Sequence, residues 1–145
     1  MNRRTITLAV ICLGLLLCIW PGIADGQAHI TKAVLGTGAI DNYEIINAAS
    51  EFAPDTAKIH CAWKAEGLPE GASVRGVWIA EDVGPAAPKN FKIDEATFNP
   101  PTDGTAVGTF ALSKPNKGFP VGKYRLEIYP GKDLAKTVPF TVKAK

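Results

Sequence analysis

The sequence predicts an all-β protein: an antiparallel sandwich of about seven or eight short strands, preceded by a removable leader. Three observations carry that expectation. Apolar residues recur at every second position in successive runs, and no run shows the three-to-four spacing of a helix. Clusters rich in glycine, proline and acidic residues separate those runs, so no strand alternates with a helix and a parallel sheet is not expected. A length of 145 residues with 46% hydrophobic content suits one domain with its own core.

The N-terminus differs in kind from the rest. Arg3 and Arg4 precede "ITLAVICLGLLLCIW", residues 6–20, and the small residues of "PGIADGQA" follow. Basic, apolar and small-residue segments in that order are those of a secretory signal. The apolar run is shorter than the roughly 20 residues of a membrane-crossing helix, so no stable span is expected after processing. Gly22 and Ala24 suit cleavage after Ala24; Gly26 and Ala28 suit cleavage after Ala28. Residues 1–28 are thus assigned to the leader and 29–145 to a single domain, secreted or periplasmic. Lipidation at Cys12 or Cys18 fits less well, because bulky Ile11 and Leu17 precede them where a small residue is expected.

The elements of the domain follow in order. "HITKAVLG" and "DNYEIINA" are weakly patterned strands. "KIHCAWKA" puts Ile59, Cys61, Trp63 and Ala65 on one face, with His60, Ala62 and Lys64 on the other. "GLPEGAS" is a turn, and "SVRGVWIA" the next strand. "NFKI" is a short run alternating Phe91 and Ile93; "DEATFNPPTDGT" reads as loop. Prolines from Pro85 to Pro101 mark edge strands, where a missing amide donor is harmless and blocks unwanted pairing. "AVGTFAL" is a strand and "SKPNKGFPVG" a connection. "GKYRLEIY" places Tyr124, Leu126 and Ile128 on one face; after the turn "PGKD", Val138, Phe140 and Val142 form the last inward face.

Cysteine and charge narrow the function classes. Cys12 and Cys18 leave with the leader, and the remaining Cys61 has no internal partner, so the core must hold the domain. Cleavage after Ala24 removes Arg3 and Arg4 and no acid, leaving basic and acidic counts equal. A neutral surface offers little counterion release to nucleic acid and no polybasic patch for anionic lipid.

"VGKY" followed by "RLEIY" resembles the tyrosine corner of immunoglobulin-type sandwiches, with Tyr124 near the start of the penultimate strand. The resemblance places Cys61 where such domains carry their first bridging cysteine, Trp78 at the core tryptophan and Leu126 at the second cysteine. The stretch from Gly122 to Val142 is similar to the last two strands of secreted bacterial immunoglobulin-like modules, several of unknown function. The implied structural core is Cys61, Trp63, Trp78, Tyr124 and Leu126. The resemblance implies a fold and no particular activity.

Candidate chemistry is sparse. Ser73 and Ser113 occupy structural positions at a strand start and a turn, and no poised base accompanies them, so no catalytic residue is assigned. "GTG" at residues 36–38 lacks the third glycine and following helix of a nucleotide loop and reads as a turn. Glu81, Asp82, Asp94 and Glu95, with Asn99 and Asp103 nearby, form acidic loops without the spacing of a calcium site.

His29 would become N-terminal after cleavage at Ala28, and with His60 it suggests a copper clamp. Antiparallel pairing of "HITKAVLG" with "KIHCAWKA" sets the two apart, and no metal or cofactor is assigned. Trp78 is core if Val74, Gly76, Trp78 and Ala80 face inward, and a sugar-stacking platform if Arg75, Val77 and Ile79 do. The expected function is a non-enzymatic exported binding or structural module of the cell envelope, with a protein or glycan partner. Carbohydrate binding through exposed aromatics and copper binding at His29 are the alternatives.

Overall fold

The inward-facing rows build two packed sheets. The structure is a computed structural model describing residues 27–101 and 104–145. Residues 1–26 of the assigned leader, with Cys12 and Cys18, lie outside the described residues, as does Asp103. Among the described residues nine strands form: β1 (His29–Ala39), β2 (Ile45–Ala48), β3 (Glu51–Phe52), β4 (Lys58–Leu68), β5 (Val74–Asp82), β6 (Phe91–Phe98), β7 (Gly104–Ser113), β8 (Gly122–Pro130) and β9 (Lys136–Val142). One sheet runs β2-β1-β4-β7 and the other β3-β9-β8-β5-β6. All pairings are antiparallel except β3 with β9.

The two extra features have physical causes. β3 has two residues, too few to show a period, and its parallel contact with β9 is made once the chain crosses between sheets. β6 continues through Asp94–Phe98, residues expected from their composition to be loop. It is a sheet edge exposed over most of its length, so burial imposes no alternation on it. Pro85 and Pro88 precede this edge strand, and Pro100 and Pro101 follow it. The "GTG" at residues 36–38 is corrected too: it lies inside β1, not in a turn. A Cβ on Gly36 would overlap the Ile45 side chain that β2 folds over it.

The core fills the space between β4 and β7 on one side and β5, β8 and β9 on the other. Ile59, Cys61 and Trp63 from one sheet and Tyr124, Leu126 and Ile128 from the other belong to one apolar cluster. Each large side chain removed from water contributes roughly 1.5–3 kcal/mol. Trp63 stacks on Phe110 at 5.4 Å and meets Phe98 edge-on. Phe140 is the hub of a second aromatic group, stacked on Tyr124 at 5.1 Å and edge-on to Trp78 and Phe52. The Tyr124 hydroxyl donates to the Pro120 carbonyl at 2.5 Å, closing a tyrosine corner over the entry to β8.

Candidate functional site

The five residues assigned to the core carry no exposed chemistry. Cys61, Trp63, Trp78, Tyr124 and Leu126 are each at most 2% exposed. Trp78 lies inward between Gly76 and Ala80, so it is unavailable as a platform for sugar. Burial pushes the Cys61 thiol from 9.0 up to about 12. Two expected outcomes follow. Cys61 should resist an aqueous thiol reagent in native buffer and react on denaturation; rapid native labelling would contradict its burial. Stability should also depend on alkali. Below pH 9.0 the thiol is protonated in both states; between 9.0 and about 12 only the unfolded state loses the proton. Stability therefore falls across that window, by at most about 1.36 kcal/mol per pH unit from this group. Urea titrations of wild type and Cys61→Ala at stepped pH check this, and equal slopes would count against it.

The outer face of the five-stranded sheet holds a polar lace that the sequence pattern did not reveal. The Arg125 guanidinium donates to Asn90 Oδ1 at 2.7 Å and lies 3.4 Å from Glu127 and 3.6 Å from Glu81. Arg75 sits 4.3 Å over the Tyr129 ring and 3.7 Å from Glu95, which Lys92 also reaches. Val77 and Ile79 lie on this face, in register with Glu95 and Glu127 and with Lys92 and Arg125, and both are buried. Long charged side chains covering apolar neighbours account for that burial. Glu81 and Glu95 are thus paired on strands, and Asp94 caps the amide of Glu95. The acidic loops expected from the sequence are in this respect strand positions engaged by cations.

The two histidines are far apart. In the β1–β4 pairing His29 lies opposite Glu66 while His60 lies opposite Gly36. Seven residues of extended chain separate the two positions, roughly 20 Å, against a metal–nitrogen bond of about 2 Å. A copper clamp made of His29 and His60 is therefore ruled out by register. Among the described residues no group of three or more metal-ligating side chains comes together.

One concavity stands out, at the end of the sandwich where the β4–β5 turn, the β8–β9 loop and the chain leading into β1 converge. It is a groove of about 930 Å³. Its apolar wall comes from Leu68 and Pro69 at the end of β4, Pro130 at the end of β8, and Leu134. Leu134 is 46% exposed, although it is a large apolar residue in a loop. Its polar rim is His29, Lys132 and Asp133, and Gln27 Nε2, which only cleavage after Ala24 would retain, donates to Asp133 Oδ2 at 3.5 Å. His29 Nε2 lies 3.7 Å from Glu66, whose other oxygen pairs with Lys64 at 3.0 Å. The loop is pinned at both ends: Gly131 N–H donates to the Ser73 carbonyl and Ala135 N–H to Ile128. Among the described residues the lining side chains are apolar, amide, imidazole, ammonium and carboxylate groups. "PGKD" is more than the simple turn expected from its residues, since the connection runs on to Ala135 before β9 begins. Leu134, directly after it, was the available signal, an apolar side chain where a hairpin would need none.

Architecture and corner together define an immunoglobulin-like β-sandwich. An immunoglobulin-like protein from Pseudomonas aeruginosa superposes with a TM-score of 0.54 at 17% identity, over 83% of this chain and 99% of that one. A β-glucosidase from Bifidobacterium adolescentis aligns at 0.48 with 14% identity, over 80% of this chain and 17% of that one. An alkylpurine DNA glycosylase from Pseudomonas fluorescens aligns at 0.47 with 9% identity, over 81% and 31%. This chain therefore spans under a third of the two longer proteins. No protein-family model matches the chain, and no curated protein matches it. Among the described residues, no helix is long and apolar enough to cross a membrane.

Proposed function

We propose that this chain is an exported, non-catalytic binding module of the cell envelope, and that its protein or glycan partner seats in the end groove beside Leu134. The observation that carries this reading is the groove itself. Apolar wall, polar rim and convergence of separate loops are the usual attributes of a recognition site, and loops carried on a rigid sandwich are where binding concentrates. The signal-type N-terminus supports export, and the near balance of charge fits neither nucleic acid nor an anionic membrane surface. The two tryptophans of the domain, Trp63 and Trp78, are buried, so neither offers a glycan an indole, while Tyr43 and Phe91 are exposed aromatic rings away from the groove.

Titration of the labelled protein with panels of envelope glycans and peptides, read by NMR shifts, tests the proposal. Shifts should cluster on residues 130–135 and on Leu68. Leu134→Asp is expected to weaken the best ligand about tenfold or more, since a charge would replace a desolvated apolar contact, with the melting temperature unchanged. Binding that maps elsewhere, or that Leu134→Asp leaves intact, would overturn it.

A further inference from the structure

Among the described residues four strands end the two sheets, and three of them are blunted. β2 has four residues and a left-handed Asn47 with φ 51°. β3 has two residues and covers the C-terminal end of β9, whose own edge carries Pro139. β6 is flanked by prolines, carries Lys92, Asp94 and Glu95, and is bulged opposite Trp78 and Ile79. Short length, charge, proline and bulges are the means by which proteins prevent unwanted strand pairing.

β7 lacks the short length, charge and proline of the others. It runs ten residues from Gly104 to Ser113, and its pairing with β4 is shifted only at its start, between Ala65 and Leu68, and unbroken from Ala65 to Lys58. It alternates regularly, with Ala106, Gly108, Phe110 and Leu112 inward and Thr105, Val107, Thr109, Ala111 and Ser113 outward. Its other edge meets no strand among the described residues. Every second amide and carbonyl there points sideways, and an extended strand is the shape that satisfies them all.

We propose that β7 joins this chain to a second copy of itself, strand against antiparallel strand, about a two-fold axis at Thr109. Charge and order select that occupant. A second β7 brings no charge of its own to the seam, where like charges directly opposite would destabilise the pair. Lys58 and Lys64 lie one strand in, on β4. Across the paired sheet each stands roughly 14 Å or more from its counterpart, beyond the screening length of about 8 Å at physiological salt. The copy's β7 is already extended and held by β4, so pairing costs less ordering than capture of a loose segment.

Both copies must keep their inner faces on the same side, which requires residues of one face to meet. Centring on Thr109 sets Thr105 opposite Ser113, Val107 opposite Ala111 and Thr109 opposite itself. Hydroxyl pairs and an aliphatic pair are favourable cross-strand partners. A strand seam alone buries less than the roughly 800 Å² per partner of a standard interface, so the dimer is weak and concentration-dependent.

The test uses protein purified from cells expressing the full chain. Sedimentation over about a hundredfold concentration range should show the mass rising toward twice the monomer's. Thr109→Lys, which opposes two ammonium groups on the axis, should weaken association about tenfold or more. It should leave the monomer's melting curve unchanged. Thr137→Lys on the far sheet should leave association intact. Thr109→Cys should be captured as a covalent dimer by a short thiol cross-linker. A protein that stays monomeric throughout, a dimer that survives Thr109→Lys, or a Thr109→Cys variant that does not cross-link would each overturn the proposal.

Discussion

Replacing Trp78 with alanine is expected to lower the free energy of unfolding by about 3–5 kcal/mol, the cost of a large aromatic removed from a packed core. Trp78 is 1% exposed, sits opposite Leu126 on β8 and meets Phe140 edge-on at 5.9 Å. Phe140 in turn touches Phe52 and Tyr124, so the void opens beside the hub of an aromatic group. Against a total stability of about 5–15 kcal/mol for a typical domain, the loss would bring the variant close to unfolding at ordinary temperature. Trp78→Phe should cost roughly half as much or less, because it retains a ring and removes an indole N–H that finds no protein acceptor. Urea unfolding of both variants checks this. A loss under about 1.5 kcal/mol for alanine would show that the sheets are not packed around this side chain.

Gly122→Ala is expected to cost about 2–4 kcal/mol, combining backbone strain with overlap. Gly122 has φ of 154°, outside the range an L side chain readily adopts, and its missing Cβ leaves room for the Asp82 carbonyl and the Val83 Cα. Backbone atoms cannot rotate aside as a side chain can. The residue also lies within the corner closed by Tyr124 on Pro120, beside the buried Phe119. Displacement should therefore reach the tyrosine. Burial holds the Tyr124 hydroxyl at about 12, above its ordinary 10.0. In Gly122→Ala its ultraviolet-monitored titration should move down toward 10.0 together with the loss of stability. A variant that melts like wild type with an unchanged tyrosine titration would place the tight approach elsewhere.

What could be read along the chain was whatever had one face in the core. "KIHCAWKA" and "GKYRLEIY" alternate because one face of β4 and of β8 is sealed while the other keeps His60, Lys64, Lys123, Arg125 and Glu127 in reach of water, and each became a strand with the expected residues inward. The corner was legible because Tyr124 and Pro120 are four residues apart and make a local bond. The pattern failed where burial did not impose it. β6 is solvated over most of its length, β3 is too brief to repeat, and Val77 and Ile79 are covered by charged side chains from neighbouring strands. The groove depends on Leu68 and Leu134, 66 positions apart in the sequence and brought to one end by the pairing of β4, β5, β8 and β9. Alternation records which side of a strand meets water. It carries no information about which strands stand side by side, and so edges, outer faces and converging loops arise only when the sheets assemble.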